Sequence, residues 1–233
     1  MRTIGLIGGM SWESTLEYYR LLNREVQARC GGLHSARMLL YSVDFAEMAA
    51  LMDRKAWDDI GHRLAAIAAR LEEGGADFLV LATNTMHKVA EALQSAVGIP
   101  LLHIADVVAE AIRAQGLATV GLLGTRPTME EEFYRGRLQR HGIEVLTPDA
   151  PRREEVHRII FEELCRGEIR ETSRVVYLET IRQLARDGAQ GVVFGCTEIG
   201  LLVEAAAAPV PVFDSTPLHA RAAVDQALSA AGG

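Results

Sequence analysis

The chain has 233 residues, 49% hydrophobic and 24% charged, which is enough apolar material for one large core or two small ones. Its formal charge of −7 disfavours nucleic acid and anionic membranes, which select basic faces, and leaves a small molecule as the expected partner. No uncharged apolar run approaches the roughly 18–20 residues of a membrane span, and the N-terminal MRTIGLIGG lacks a secretory signal's apolar core and cleavage site, so a cytoplasmic location is expected.

Taken in chain order, short β-rich runs alternate with longer amphipathic stretches. Strands are expected at Thr3–Ile7, Arg37–Tyr41, Asp77–Leu81, Leu101–Ile104, Thr119–Leu123, Glu144–Leu146, Gly191–Phe194 and Val210–Phe213. Helices are expected at Ser14–Ala28, Trp57–Leu71, Met129–Arg140, Glu154–Cys165 and Ser173–Asp187. This order predicts an α/β protein of parallel sheet with helices on both faces. Met38, Met48, Met52, Tyr18 and Tyr19 are read as core.

The two halves repeat each other. Thr3-Ile-Gly-Leu-Ile-Gly is matched by Thr119-Val-Gly-Leu-Leu-Gly, Gly75-Ala76 and the strand ending at Thr83 by Gly188-Ala189 and the strand ending at Cys196, and Pro100-Leu-Leu-His by Pro211-Val-Phe-Asp. Three matches in one order at nearly constant offset predict two pseudo-symmetric open-sheet domains, residues 1–104 with 213–233 and residues 105–212.

Ligands of open parallel sheets sit beyond the carboxyl ends of the strands. Those positions are Gly8-Gly9-Met10-Ser11 and Thr83-Asn84-Thr85 in the first half, and Gly124-Thr125 and Cys196-Thr197-Glu198 in the second. Facing halves would oppose Thr83 and Cys196 across a cleft. One group would take a proton from a carbon and the other would return one, while backbone N–H groups and the side chains of Asn84, Thr85 and Thr197 held a carboxylate and Thr125 and Glu198 completed the substrate-binding set. Each residue also has a plainer reading: Cys196 as a small core side chain, Glu198 as a first-turn acid, Ser11 or Ser14 as a helix cap. Gly5, Gly8 and Gly9 do not form a dinucleotide-binding GxGxxG. Cys30, Cys165 and Cys196 are too far apart for a zinc or disulfide pattern, and Lys55 and Lys88 are the only lysines, so neither metal nor pyridoxal phosphate is expected.

The segments GLIGGMSWEST, YSVDF, ATNTMHK, ELCRGEI and GCTEI, in this order over nearly the whole chain, resemble the aspartate/glutamate racemase family, in its broad-specificity amino-acid branch. The resemblance implies a cofactor-independent racemase with paired catalytic cysteines, acting in the cleft between two domains and often dimeric. It carries the catalytic positions onto Thr83 and Cys196 and the carboxylate-holding positions onto Asn84, Thr85 and Thr197. Met10 and Ser11 line the cleft, and Arg166 lies near the basic group that meets an acidic side chain.

The departure from the family is Thr83, where a cysteine is usual. A helix N-terminus lowers a thiol's pKa, so Cys196 is expected to be an accessible thiolate, whereas a threonine hydroxyl is too weak an acid to serve as a resting base. One enantiomer is therefore expected to react better than the other, with the family tilting the choice toward acidic amino acids. Two other readings stay open: a one-cysteine decarboxylase or cis-trans isomerase of a dicarboxylate, and a binding protein that senses an acidic metabolite without turning it over.

Overall fold

The structure, a computed structural model, describes residues 1–229. Its first strand β1 (Ile4–Gly8) leads into α1 (Trp12–Cys30), then β2 (Met38–Ser42), α2 (Phe45–Asp53), α3 (Trp57–Glu73) and β3 (Phe78–Leu81). A 3-10 turn (Thr85–Val89), α4 (Ala90–Ser95) and β4 (Leu101–Leu102) complete the first half. The second half runs α5 (Ile104–Ala114), β5 (Thr119–Gly124), α6 (Arg126–Glu130), α7 (Glu132–Arg140), β6 (Glu144–Leu146) and α8 (Ala150–Glu162). A second 3-10 turn (Leu164–Arg166), α9 (Glu171–Arg186), β7 (Gly191–Gly195), α10 (Ile199–Leu202), β8 (Val212–Asp214) and α11 (Ser215–Leu228) follow.

Two four-stranded parallel sheets result, ordered β2-β1-β3-β4 and β6-β5-β7-β8. The middle strands IGLIG, FLVL and GVVFG are buried throughout, as covered parallel strands must be, while the edge strands are partly exposed. Among the described residues the two compact units are 1–103 with 219–229, and 104–218. The return to the first unit thus comes within α11 rather than at the expected residue 213, because β8 pairs with β7 and keeps Val212–Asp214 in the second sheet.

Side chains of each central strand alternate between two cores. In the first unit Ile7, Leu79 and Leu81 pack with Met48, Leu51, Ile60 and Leu64 on one face. Ile4, Leu6, Phe78 and Val80 pack on the other, against Tyr18, Leu22 and Val26 of α1 and Ala220, Ala223 and Val224 of α11. The second unit repeats the scheme: Leu123, Val192 and Phe194 meet α8 and α9, and Val120, Leu122 and Val193 meet α5 and α7. This layering explains why the single helix expected over Met129–Arg140 is broken. Met129 belongs to one core and Tyr134 and Leu138 to the other, so the chain straightens at Glu131 (φ −95°, ψ 157°) between α6 and α7. Tyr18 is buried as expected, but Tyr19 lies on the solvent side of α1 and is 51% exposed.

In the second unit α5 is tied to α7 by Asp106, which accepts from Arg137 Nε at 2.6 Å and Nη2 at 2.7 Å and from His141 Nε2 at 3.1 Å. Partial burial pushes this carboxyl up, but the bonds from Arg137 and His141 outweigh it and hold the pKa below the ordinary value. A depressed folded-state pKa contributes stability above the unfolded value, near 3.9, that is lost as pH falls through the folded one. Asp106→Asn is therefore expected to cost on the order of 1 kcal/mol at neutral pH, the pair being partly solvent-screened. The gap from wild type should close below about pH 4, which denaturant titrations at neutral and acid pH would measure.

Candidate active site

The two sheets share more than strand order: their residue registers coincide. Ile4 pairs with Phe78 in the first and Val120 with Gly191 in the second, and Val80 with Leu102 against Val193 with Phe213. Carried along this register, Thr83 beyond β3 and Cys196 beyond β7 occupy equivalent positions of their own units. The matched phrases read from the sequence are thus one structural position, occurring twice.

In the first unit, Gly9 at φ +87° brings the segment after β1 against the one after β2, where any side chain would collide with the Val43 carbonyl. Ser11 is the N-cap of α1: its Oγ accepts from the Ser14 N–H at 3.3 Å, and its carbonyl accepts from the Ser14 and Thr15 hydroxyls at 3.1 and 2.8 Å. Thr15 Oγ1 in turn accepts from the Gly9 N–H at 2.7 Å. Met10 packs into the core cluster with Met48 and Leu51. Thr83, Asn84 and Thr85 are all buried at the end of β3. The Thr83 N–H donates to the Leu81 carbonyl at 2.8 Å and the His87 N–H to the Asn84 carbonyl at 3.1 Å, turning the chain sharply after the strand.

In the second unit, Gly124 and Gly195 are partners, and a Cβ on Gly124 would stand 2.7 Å from the Gly195 carbonyl oxygen. That close approach sets Thr125 and Cys196 at neighbouring strand ends. Thr125 stands at the N-cap position of α6, and its hydroxyl meets that of Thr128 at 3.0 Å. Cys196 Sγ donates to Glu198 Oε2 at 3.0 Å, and Thr197 Oγ1 donates to the same oxygen at 2.7 Å. All three residues are buried. Burial above all, and then the Glu198 charge, push the Cys196 thiol well above its ordinary pKa. The expected resting thiolate is thus corrected: α10 has only four residues, and a carboxylate faces the sulfur more closely than any helix end could compensate. Arg166 is exposed at the end of its 3-10 turn, beside Cys165, which packs against the core cluster containing Cys196.

Sequence reading missed several groups here. Tyr177 is fully buried and donates to the Val156 carbonyl at 3.2 Å, and burial above all pushes its phenol well above the ordinary pKa. Glu163, 2% exposed, accepts from Ser173 Oγ and from Arg158 at 3.2 Å, and so anchors the turn that carries Arg166. In the first unit His87, His103 and His219 come together in the interior. The signal for His87 was its place four residues after Thr83; the other two are brought near it only by the fold. One groove in each unit, about 360 Å³, is lined by residues such as Asp149, Arg152 and Glu179 in the second and Tyr41, Asp44 and Arg70 in the first, and neither contains a predicted site residue. Among the described residues no cluster of three or more His, Cys, Asp or Glu could hold a metal ion, and no helix is long and apolar enough to cross a membrane.

The family model for Asp/Glu/Hydantoin racemase matches residues 7–223. The broad specificity amino-acid racemase RacX of Bacillus subtilis (strain 168) is 25% identical over 230 residues, which is 97% of this chain and 98% of the relative. A crystal structure from Yersinia pestis, named as a candidate Asp/Glu racemase, superposes with a TM-score of 0.92 at 56% identity, covering 98% of this chain and 100% of the other. That of an aspartate racemase homologue from Pyrococcus horikoshii OT3 gives 0.83 at 34% identity, over 97% and 99%. The chain therefore belongs to the Asp/Glu/Hydantoin racemase family, and its activity is that of an isomerase, a racemase.

Proposed function

We propose that this racemase inverts Cα of an amino acid with an acidic side chain, using Cys196 and Thr83 and no metal or pyridoxal phosphate. The observation that carries the reading is the hydrogen-bonded pair Cys196–Glu198 beyond β7, at the position whose register mate beyond β3 is Thr83. The thiol passes its proton to the Glu198 carboxylate and, as thiolate, takes the α-proton. Thr83 delivers a proton to the opposite face of the carbanion and is reprotonated by water. Such a delivery is downhill, since an amino-acid carbanion is a far stronger base than an alkoxide.

The intermediate's charge spreads onto the substrate carboxylate, where N–H groups and the hydroxyls of Thr85, Thr125 and Thr197, with Asn84, hold it; fixed donors of this kind stabilise such charge by a few kcal/mol each. Met10 and Ser11 shape the same end of the first sheet, and Arg166 meets the acidic side chain. The names of the relatives, a broad specificity amino-acid racemase and an aspartate racemase homologue, support an amino-acid substrate. A cytoplasmic homodimer completes the reading.

The test is solvent deuterium incorporation at Cα by protein stripped of metal and pyridoxal phosphate, with L- and D-aspartate and glutamate beside neutral and basic amino acids. Exchange is expected on the acidic pair without additions, from a species of twice the chain mass by light scattering. Exchange that appears only after a cofactor is added, or that favours neutral side chains, would overturn the corresponding part.

A further inference from the structure

We propose that His87 is a positioning residue for racemisation: its imidazole holds the main chain of residue 83 and so fixes the direction of that residue's side chain. The inference rests on the role proposed for Thr83. His87 Nδ1 lies 2.7 Å from the Thr83 carbonyl oxygen, in a buried setting. A carbonyl only accepts, so Nδ1 carries the hydrogen and donates. This bond spans the turn in which the Asn84 carbonyl already accepts from the His87 N–H, so the chain from 83 to 87 is closed by one main-chain and one side-chain bond.

A peptide is planar, so fixing the Thr83 carbonyl fixes the whole unit between residues 83 and 84, and with it the torsion next to the Thr83 side chain. A residue at a strand end has no ladder partner to do this. Proton transfer is sensitive to such placement, because a misplacement of about 1 Å costs on the order of a hundredfold.

The imidazole is itself held from behind. His103 meets it edge-on with ring centroids 4.5 Å apart, and His219 at 6.0 Å. The state of His219 follows from its partners: Nε2 faces the Leu102 carbonyl at 2.9 Å and must donate, which leaves Nδ1 to accept from the Tyr18 hydroxyl at 2.9 Å. Burial lowers its pKa to about 4, so a neutral ring backs His87 at physiological pH. The conformation of residue 83 is thus supported from Tyr18 of α1, His219 of α11, and the Leu102 carbonyl and His103 at the end of β4, groups that make none of the chemistry themselves.

The experiment uses a pair of near-isosteric replacements. Asparagine places its amide nitrogen where Nδ1 stands, whereas leucine fills the same volume with no donor, and both leave the same remainder of the imidazole space empty. In deuterated solvent, the α-exchange that Cys196 drives with retention is compared with inversion, which also needs residue 83. His87→Leu is expected to lower the ratio of inversion to exchange about tenfold, the scale of one hydrogen bond, and His87→Asn to restore most of it. A purely structural role would lower both rates together and leave the ratio unmoved in both variants, which would overturn the inference. Thr83→Ala is measured alongside. If it lowers the ratio while His87→Leu does not, the role of Thr83 stands and the inference fails. If it leaves the ratio unmoved, residue 83 transfers no proton and both fall.

Discussion

Cys196→Ser is expected to abolish α-proton exchange, with a loss of about 10²–10⁴-fold or more, while the protein keeps its fold. The magnitude is that of a positioned acid–base group. A serine hydroxyl fills the same buried space at the end of β7 and still reaches toward Glu198, so the fold is little disturbed. It cannot become a base. Because burial and Glu198 push the thiol pKa well up, exchange in the wild type should climb as pH rises through neutrality instead of levelling off there. The sign follows from the charged form being the reactive one: each rise in pH increases the thiolate fraction until the folded-state pKa is passed. Glu198→Gln would remove the negative neighbour 3.0 Å from the sulfur and also its proton acceptor, so the rising limb should shift to lower pH while the maximal rate falls. Deuterium exchange across a pH series measures both. Retention of a sizeable fraction of exchange in Cys196→Ser would place the base elsewhere, with Glu198 the next group to test.

The second large effect is expected from Thr83→Cys. The shared register makes residue 83 the counterpart of Cys196, so this substitution supplies the second unit's chemistry to the first. Inversion should rise about 10²–10⁴-fold. Free enantiomers interconvert with an equilibrium constant of one, so kcat/KM must remain equal in the two directions whatever the residue. The asymmetry of the wild type therefore shows itself elsewhere: one enantiomer exchanges its α-proton with retention, through Cys196, while the other does not. In Thr83→Cys the second enantiomer should gain exchange with retention as well. Chiral chromatography with mass detection of the early products would measure it. An unchanged pattern in a folded variant that still binds substrate would mean that residue 83 does not face the reacting carbon. The new thiol would sit on the Leu81 carbonyl turn and under the same hold from His87, so its direction is inherited from Thr83.

Much of this protein is determined locally, and those parts are legible in the sequence. The continuous apolar runs IGLIG in β1, FLVL in β3 and GVVFG in β7 read as strands covered on both faces, and they place the reactive residues at strand ends because the apolar character stops there. The repeat was visible too, since the glycine-flanked strands keep nearly the same spacing in both halves. Boundaries that depend on partners were not. The break at Glu131 arises because neighbouring turns of one apparent helix belong to opposite cores, and β8 joins the second sheet because it pairs with β7.

The chemistry of the site divides in the same way. Residue types and their order identify Cys196, Thr197, Glu198, Thr83, Asn84 and Thr85 as candidates, since each is a neighbour in the chain of another. The state of each group is decided by the fold. The Cys196 thiol is pushed up, opposite to the expectation from a helix end, because burial and a carboxylate act over 3 Å while the following helix is a single turn. Ser11 is a cap, and Met10 a core residue, because α1 and the first core claim them. The three histidines behind Thr83 come from positions 87, 103 and 219, and their meeting depends on α11 returning to the first unit. Contacts between residues far apart in the chain leave no periodic trace in it, so only the tertiary structure could decide them.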